Sequence, residues 1–186
     1  MPLRDFRKGV LIFTLLLFLA LWIGVIFYFS SETPECSAQR SVYVYTILKK
    51  LDTILDFSKT EAFTKLVSLF RKLLGATSEV STVELIRSSA HFGFYAILGF
   101  VTSLLSWLWK RDFLVSLLVG TSLPAVVAIL DEFNQAFHRR QSTVVDAFVD
   151  LMGAMFGTVL ANLMIALIVL LEYLKSKRGR FKNIRP

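Results

Sequence analysis

Six ionisable residues stand at spacings that invite chemistry: Arg87, His91, Asp131, Glu132, Asp146 and Asp150. Arg87 and His91 are four residues apart, and the same step leads to Tyr95 and Gly99, so on a helix the four share one stripe. Asp146, Asp150, Gly153 and Gly157 step by four, three and four, and share another. The pair Gly153/Gly157, continued by Ala161, is a small-residue stripe that lets helices approach closely. The acids of this second stripe therefore point along a packing face. A matching approach at Gly93 or Gly99 brings His91 and Arg87 next to Asp146 and Asp150. A histidine oriented by a carboxylate is the arrangement of a general base, here with Asp146 or Asp150 in the orienting role. A guanidinium offers a planar fork of donors to phosphate or carboxylate. Taken singly, each residue has a plainer reading; Asp146 near a helix N-terminus simply favours the helix dipole. Convergence of the set is what argues for a site.

The elements that must position these residues are membrane helices. Hydrophobic residues make up 55% of the 186-residue chain, and mean hydropathy is +0.62. Predominantly apolar runs cover about residues 10–29, 90–109, 113–130 and 144–171. About 20 residues rising ~1.5 Å each cross a hydrocarbon layer of ~30 Å. The expected fold is all-α and polytopic, a single domain of four transmembrane helices. Trp107 and Trp109 fall where the second span meets the interface, and Lys110-Arg111-Asp112 is a tight polar turn into the third. Pro124 lies inside the third span and deprives the Gly120 carbonyl of its helical partner, so a kink is expected there. In span order the six ionisable residues then fall at one end of spans two, three and four, at headgroup depth.

Residues 32–84, between spans one and two, form an amphipathic helical insertion. Val44, Ile47, Leu48, Leu51, Ile54 and Leu55 recur at helical spacing, as do Phe63, Leu66, Val67, Phe70, Leu73 and Leu74. Ser58-Lys59-Thr60-Glu61 and Ser81-Thr82-Val83-Glu84 fit capping boxes. The formal charge of +7 comes largely from bases flanking apolar runs, where anionic headgroups attract them. No nucleic-acid motif is present, so nucleic acid is not an expected partner. Three bases precede the first span and only Arg40 follows closely, while six lie in the tail at 175–186. That asymmetry places both termini in the cytoplasm and the insertion outside. Cys36 is the only cysteine and is expected to be an inert thiol.

At these residues the sequence resembles the VanZ-like family of membrane proteins. Ile26-Phe27-Tyr28-Phe29-Ser30-Ser31 is similar to one family block, with Glu32 where Gln is usual. The stretch from Arg87 through His91 and Tyr95 to Gly99 is similar to a second, with Arg for Lys. Asp131, Glu132, Gln135, Phe137 and Arg140, followed by Asp146, Asp150, Gly153 and Gly157, match the most specific block. Asp150 stands where the family commonly has Asn, and Arg139 where Gly often precedes the arginine. The resemblance covers about residues 10–31 and 84–171 and leaves 32–83 outside. It implies a four-helix membrane fold and a link to glycopeptide resistance, chiefly to teicoplanin, with no settled reaction.

Together these readings point to binding of an anionic lipid or lipid-linked cell-wall precursor at the outer face. Arg87 and Arg140 hold the anion. His91, Tyr95 and Gln135 give neutral hydrogen bonds. Asp131, Glu132, Asp146 and Asp150 orient the bases or meet hydroxyls and amines. The rival is a membrane-embedded hydrolase or transferase with His91 and Asp146 as catalytic residues. His138 is the only other histidine and no Gly-x-Ser-x-Gly frame occurs, so neither two-histidine phosphatase nor serine hydrolase chemistry is indicated. No cofactor is expected and no metal, since one histidine among carboxylates is an unspecific ligand set. A route across the membrane is not indicated either, because no ionisable residue stands mid-span. The Gly153/Gly157 face is also expected as a contact for a second copy of the chain.

Overall fold

The computed structural model describes residues 3–73, 81–137 and 144–182. They form helices α1 (Leu3–Ser30), α2 (Pro34–Leu55), α3 (Glu61–Leu73), α4 (Thr82–Lys110), α5 (Phe113–Phe137) and α6 (Val144–Lys182), with a short 3-10 turn at Phe57–Lys59. Helices α1, α4, α5 and α6 are each long and apolar enough to cross a membrane. The expected four spans are these four helices, each extended beyond its apolar run by polar residues.

Local chemistry explains where they start and stop. Thr33 and Ser81 cap α2 and α4, their hydroxyls accepting from the Cys36 and Glu84 amides. Pro34 occupies the first position of α2, where its missing N–H costs nothing. The turn between α4 and α5 is built by Arg111 in the left-handed region (φ 54°) and by Asp112, whose carboxylate accepts from the Val115 amide at 3.0 Å. One cap differs from the expectation. Ser58 does not start α3; its amide donates to Asp52 at 2.7 Å, and Thr60 caps the helix by accepting from Phe63. Serine at 58 is drawn into the preceding turn because Asp56, in the left-handed region, folds the chain back on α2.

α4 is the central helix and touches α1, α2, α5 and α6. Its closest partner is α6, and glycine makes that possible. A Cβ on Gly153 would run into the Phe92 carbonyl, one on Gly157 into the Ala96 carbonyl, and one on Gly99 into the Ala154 carbonyl. Gly93, the alternative approach point, has open space where its Cβ would be. The Gly153/Gly157 stripe is thus filled by α4 of the same chain. This is the face also expected as a contact for a second copy, and within one chain it packs against the α4 backbone.

Pro124 lies within an unbroken α5, and the Gly120 carbonyl it frees is not left bare. The Thr158 hydroxyl of α6 donates to it at 2.7 Å. Nearby, Ser103, Ser116 and Asn162 join in a network between α4, α5 and α6, with Ser103 and Ser116 hydroxyls 2.7 Å apart and Asn162 donating to Ser103 at 2.9 Å. The outer faces carry Phe13, Leu17 and Leu21 on α1, Leu114, Leu118 and Ile129 on α5, and Phe156, Leu163 and Leu167 on α6, all exposed. Apolar exposure on this scale suits acyl chains rather than water.

Candidate functional site

The α4–α6 approach fixes the site. Asp150, three residues before Gly153, is brought to the face of α4 one turn before Tyr95. There His91 Nδ1 lies 3.2 Å from Asp150 Oδ1. With Asp150 ionised, the contact is an Nδ1–H donated to its carboxylate. Of the two acids that sequence offers to orient this ring, Asp150 does so; Asp146 stands one turn outward, 3.9 Å from the Arg87 guanidinium. Arg87 also pairs with Glu84 at 2.6 Å.

α5 delivers the remaining acids. Asp131 is fully buried, and Gln135, four residues on, donates to its Oδ2 at 3.1 Å. The end of α1 anchors this helix: the Ser30 hydroxyl donates to the Asp131 carbonyl at 3.4 Å, and the Asn134 amide reaches Ser30 and Ser31. Ligand atoms of His91, Asp131 and Asp150 lie within 4.8 Å of one another. Tyr95 is 1% exposed and, among the described residues, its hydroxyl has no hydrogen-bond partner; the same holds for Asp131 Oδ1, Asp150 Oδ2 and both carboxylate oxygens of Glu132. From Asp131 back to Phe113 the helix rises about 27 Å, so the cluster sits at one edge of the hydrocarbon layer.

Seven expected site residues therefore converge directly around this buried centre or border it: His91, Tyr95, Asp131, Glu132, Gln135, Asp146 and Asp150. Arg87 stands at its rim. Arg140 lies outside the described residues. A histidine with a buried carboxylate on either side can act as a base, hold a cation or bind a protonated amine.

A groove that the sequence did not reveal adjoins this centre. It encloses about 1040 Å³ between α2, α3 and the first turns of α4. Its floor is apolar, with Val44, Leu48, Phe63, Leu66, Val67 and Phe70 among the lining residues, and His91 opens onto it. Arg40, Lys49, Arg71 and Arg87 line it against two acids, Glu32 and Asp52. Phe70 packs edge-on against Phe92, which ties α3 to the α4–α6 seam. The amphipathic periodicity of residues 44–74 held the clue, but periodicity marks an apolar face without saying what it faces.

A family model described as VanZ/LLP1 matches residues 14–168. No curated protein and no solved structure matches the chain.

Proposed function

The chain belongs to the VanZ/LLP1 family and has the four helices of a multi-pass membrane protein; on that footing we propose that it binds an anionic lipid or lipid-linked cell-envelope precursor at the outer membrane face. The groove carries this reading. Its apolar floor suits an acyl or prenyl chain, and its four bases suit a phosphate or carboxylate headgroup. The volume of about 1040 Å³ is at the upper end of the ~300–1,000 Å³ typical of small-molecule sites. The headgroup then lies against Arg87 and His91, with Tyr95, Gln135 and the acids behind. The association with teicoplanin resistance follows from the same reading, as sequestration or altered presentation of an envelope lipid.

Native mass spectrometry of the purified protein tests it, wild type beside Arg87→Ala and Arg140→Ala. Retention of an anionic lipid that falls at least tenfold in either variant supports the reading. Equal retention in all three, or none in the wild type, refutes it.

The His91–Asp150 contact supports a second reading, a lipid-headgroup hydrolase or transferase. With Nδ1–H held by Asp150, Nε2 is the ring nitrogen that would take a proton from an attacking hydroxyl or water. His91→Ala then abolishes turnover of headgroup lipids in reconstituted vesicles while lipid retention persists. A pure binder shows no turnover to lose.

A further inference from the structure

We infer that His91, Asp131 and Asp150 bind one divalent transition-metal ion, Zn2+ or Mn2+, beside the basic groove. Three spans contribute one ligand each, from α4, α5 and α6. Their ligand atoms already lie within 4.8 Å of one another, a spread that small side-chain rotations close around a single ion. His91 Nδ1 and Asp150 Oδ1 are 3.2 Å apart, close to the ~3.3 Å edge of a tetrahedron with bonds of ~2.0–2.1 Å. To ligate, the ring moves its proton to Nε2 and turns the Nδ1 lone pair to the ion.

The second observation is the set of unanswered atoms. Asp131 and Asp150 are both 0% exposed, yet among the described residues Asp131 Oδ1 and Asp150 Oδ2 have no hydrogen-bond partner. Tyr95, buried beside them, has a hydroxyl with no partner among the described residues. Among the described residues no lysine or arginine pairs with either aspartate, because Arg87 is taken by Glu84 and Asp146. Buried carboxylates are ordinarily paired or hold a metal. An imidazole in the set favours a transition metal over Mg2+ or Ca2+, and three protein ligands leave an open coordination position.

The ion balances the charges of Asp131 and Asp150 beside the groove, and its open coordination position can take a phosphate oxygen. This last step rests on the lipid reading. The ion itself does not.

The full-length protein, purified in detergent, is stripped with EDTA, equilibrated with Zn2+ or Mn2+, gel-filtered and assayed for metal by mass spectrometry. One ion per chain is expected for at least one metal. Asp131→Asn and Asp150→Asn, which keep side-chain shape, are expected to weaken retention at least tenfold, and Glu172→Gln at the far end of α6 to leave it unchanged. If an Asn variant fails to fold, His91→Gln, at the more accessible ligand, gives the same comparison. No retained ion in the wild type, or retention that survives in every ligand variant, overturns the site. Lipid is measured in the same samples. Lipid held equally with and without metal overturns the bridging role and leaves the lipid reading standing. An ion held with no lipid in any sample overturns the lipid reading and leaves the metal site standing.

Discussion

Glu132 is the residue whose surroundings ask most of the fold. Among the described residues both of its carboxylate oxygens are shielded and unpartnered, beside a cluster that already holds Asp131 and Asp150. An unsatisfied buried polar group costs about 1–3 kcal/mol, more when charged. Glu132→Gln is therefore expected to raise the thermal stability of the metal-free protein by about 1–2 kcal/mol, read from melting in detergent with and without EDTA. A fall in stability would mean that the carboxylate is compensated after all. Functional sites are where stability is given up in this way, so the same variant should lose retained ligand while it gains stability. Much of the centre was legible in the sequence. The four-residue steps through Arg87, His91 and Tyr95 and from Asp146 to Asp150 fixed which side chains share a stripe. What spacing did not decide was which acid faces the ring. Asp146 and Asp150 are one turn apart on the same stripe, and only the depth at which α4 meets α6 sets Asp150 against His91.

Helix against helix, the bundle depends on two devices. The first is the glycine seam. Gly157→Ala forces a methyl group into the Ala96 carbonyl, and overpacking of this kind costs about 1–3 kcal/mol. Gly93→Ala meets open space and removes a flexible residue from a helix interior, for an expected gain of about 0.5–1 kcal/mol. Measured side by side, the two alanines should shift the melting temperature in opposite directions; equal shifts would place the α4–α6 contact elsewhere. The second device is Thr158. Thr158→Val leaves the Gly120 carbonyl unanswered beneath Pro124, at an expected cost of about 1–3 kcal/mol, while Thr158→Ser keeps the donor and most of the stability. The proline and its orphaned carbonyl were visible in the sequence, and so was the glycine stripe. The Thr158 donor and the Ser103–Ser116–Asn162 network were not, because small polar residues in an apolar run look the same whether they bond their own helix or a neighbour. Only the register of α4, α5 and α6 distinguishes the two.

Across the whole molecule, the polar residues gather at one end of the bundle, where α1 ends, α5 ends and α4 and α6 begin. The α2–α3 insertion lies over that same end and builds one wall of the groove. Which compartment this end faces decides whether the site can meet an envelope precursor. From the asymmetry of bases around α1 and in the tail, this end is expected to face outside, with both termini in the cytoplasm. Cys36 reports on this directly. It is the only cysteine of the chain, it is exposed, and it lies in the first turn of α2 beside the site. A membrane-impermeant maleimide added to intact cells is expected to modify it. In a Cys36→Ser background, Ser176→Cys reports from the opposite end, near the close of α6, and is expected to react only after the membrane is opened. The reverse pattern inverts the protein and turns the groove toward cytoplasmic lipids, which removes the outer-face precursor as its ligand. Reaction at both positions in intact cells would mean that α6 does not carry the chain across, and the antiparallel order of α4, α5 and α6 could not stand in a bilayer.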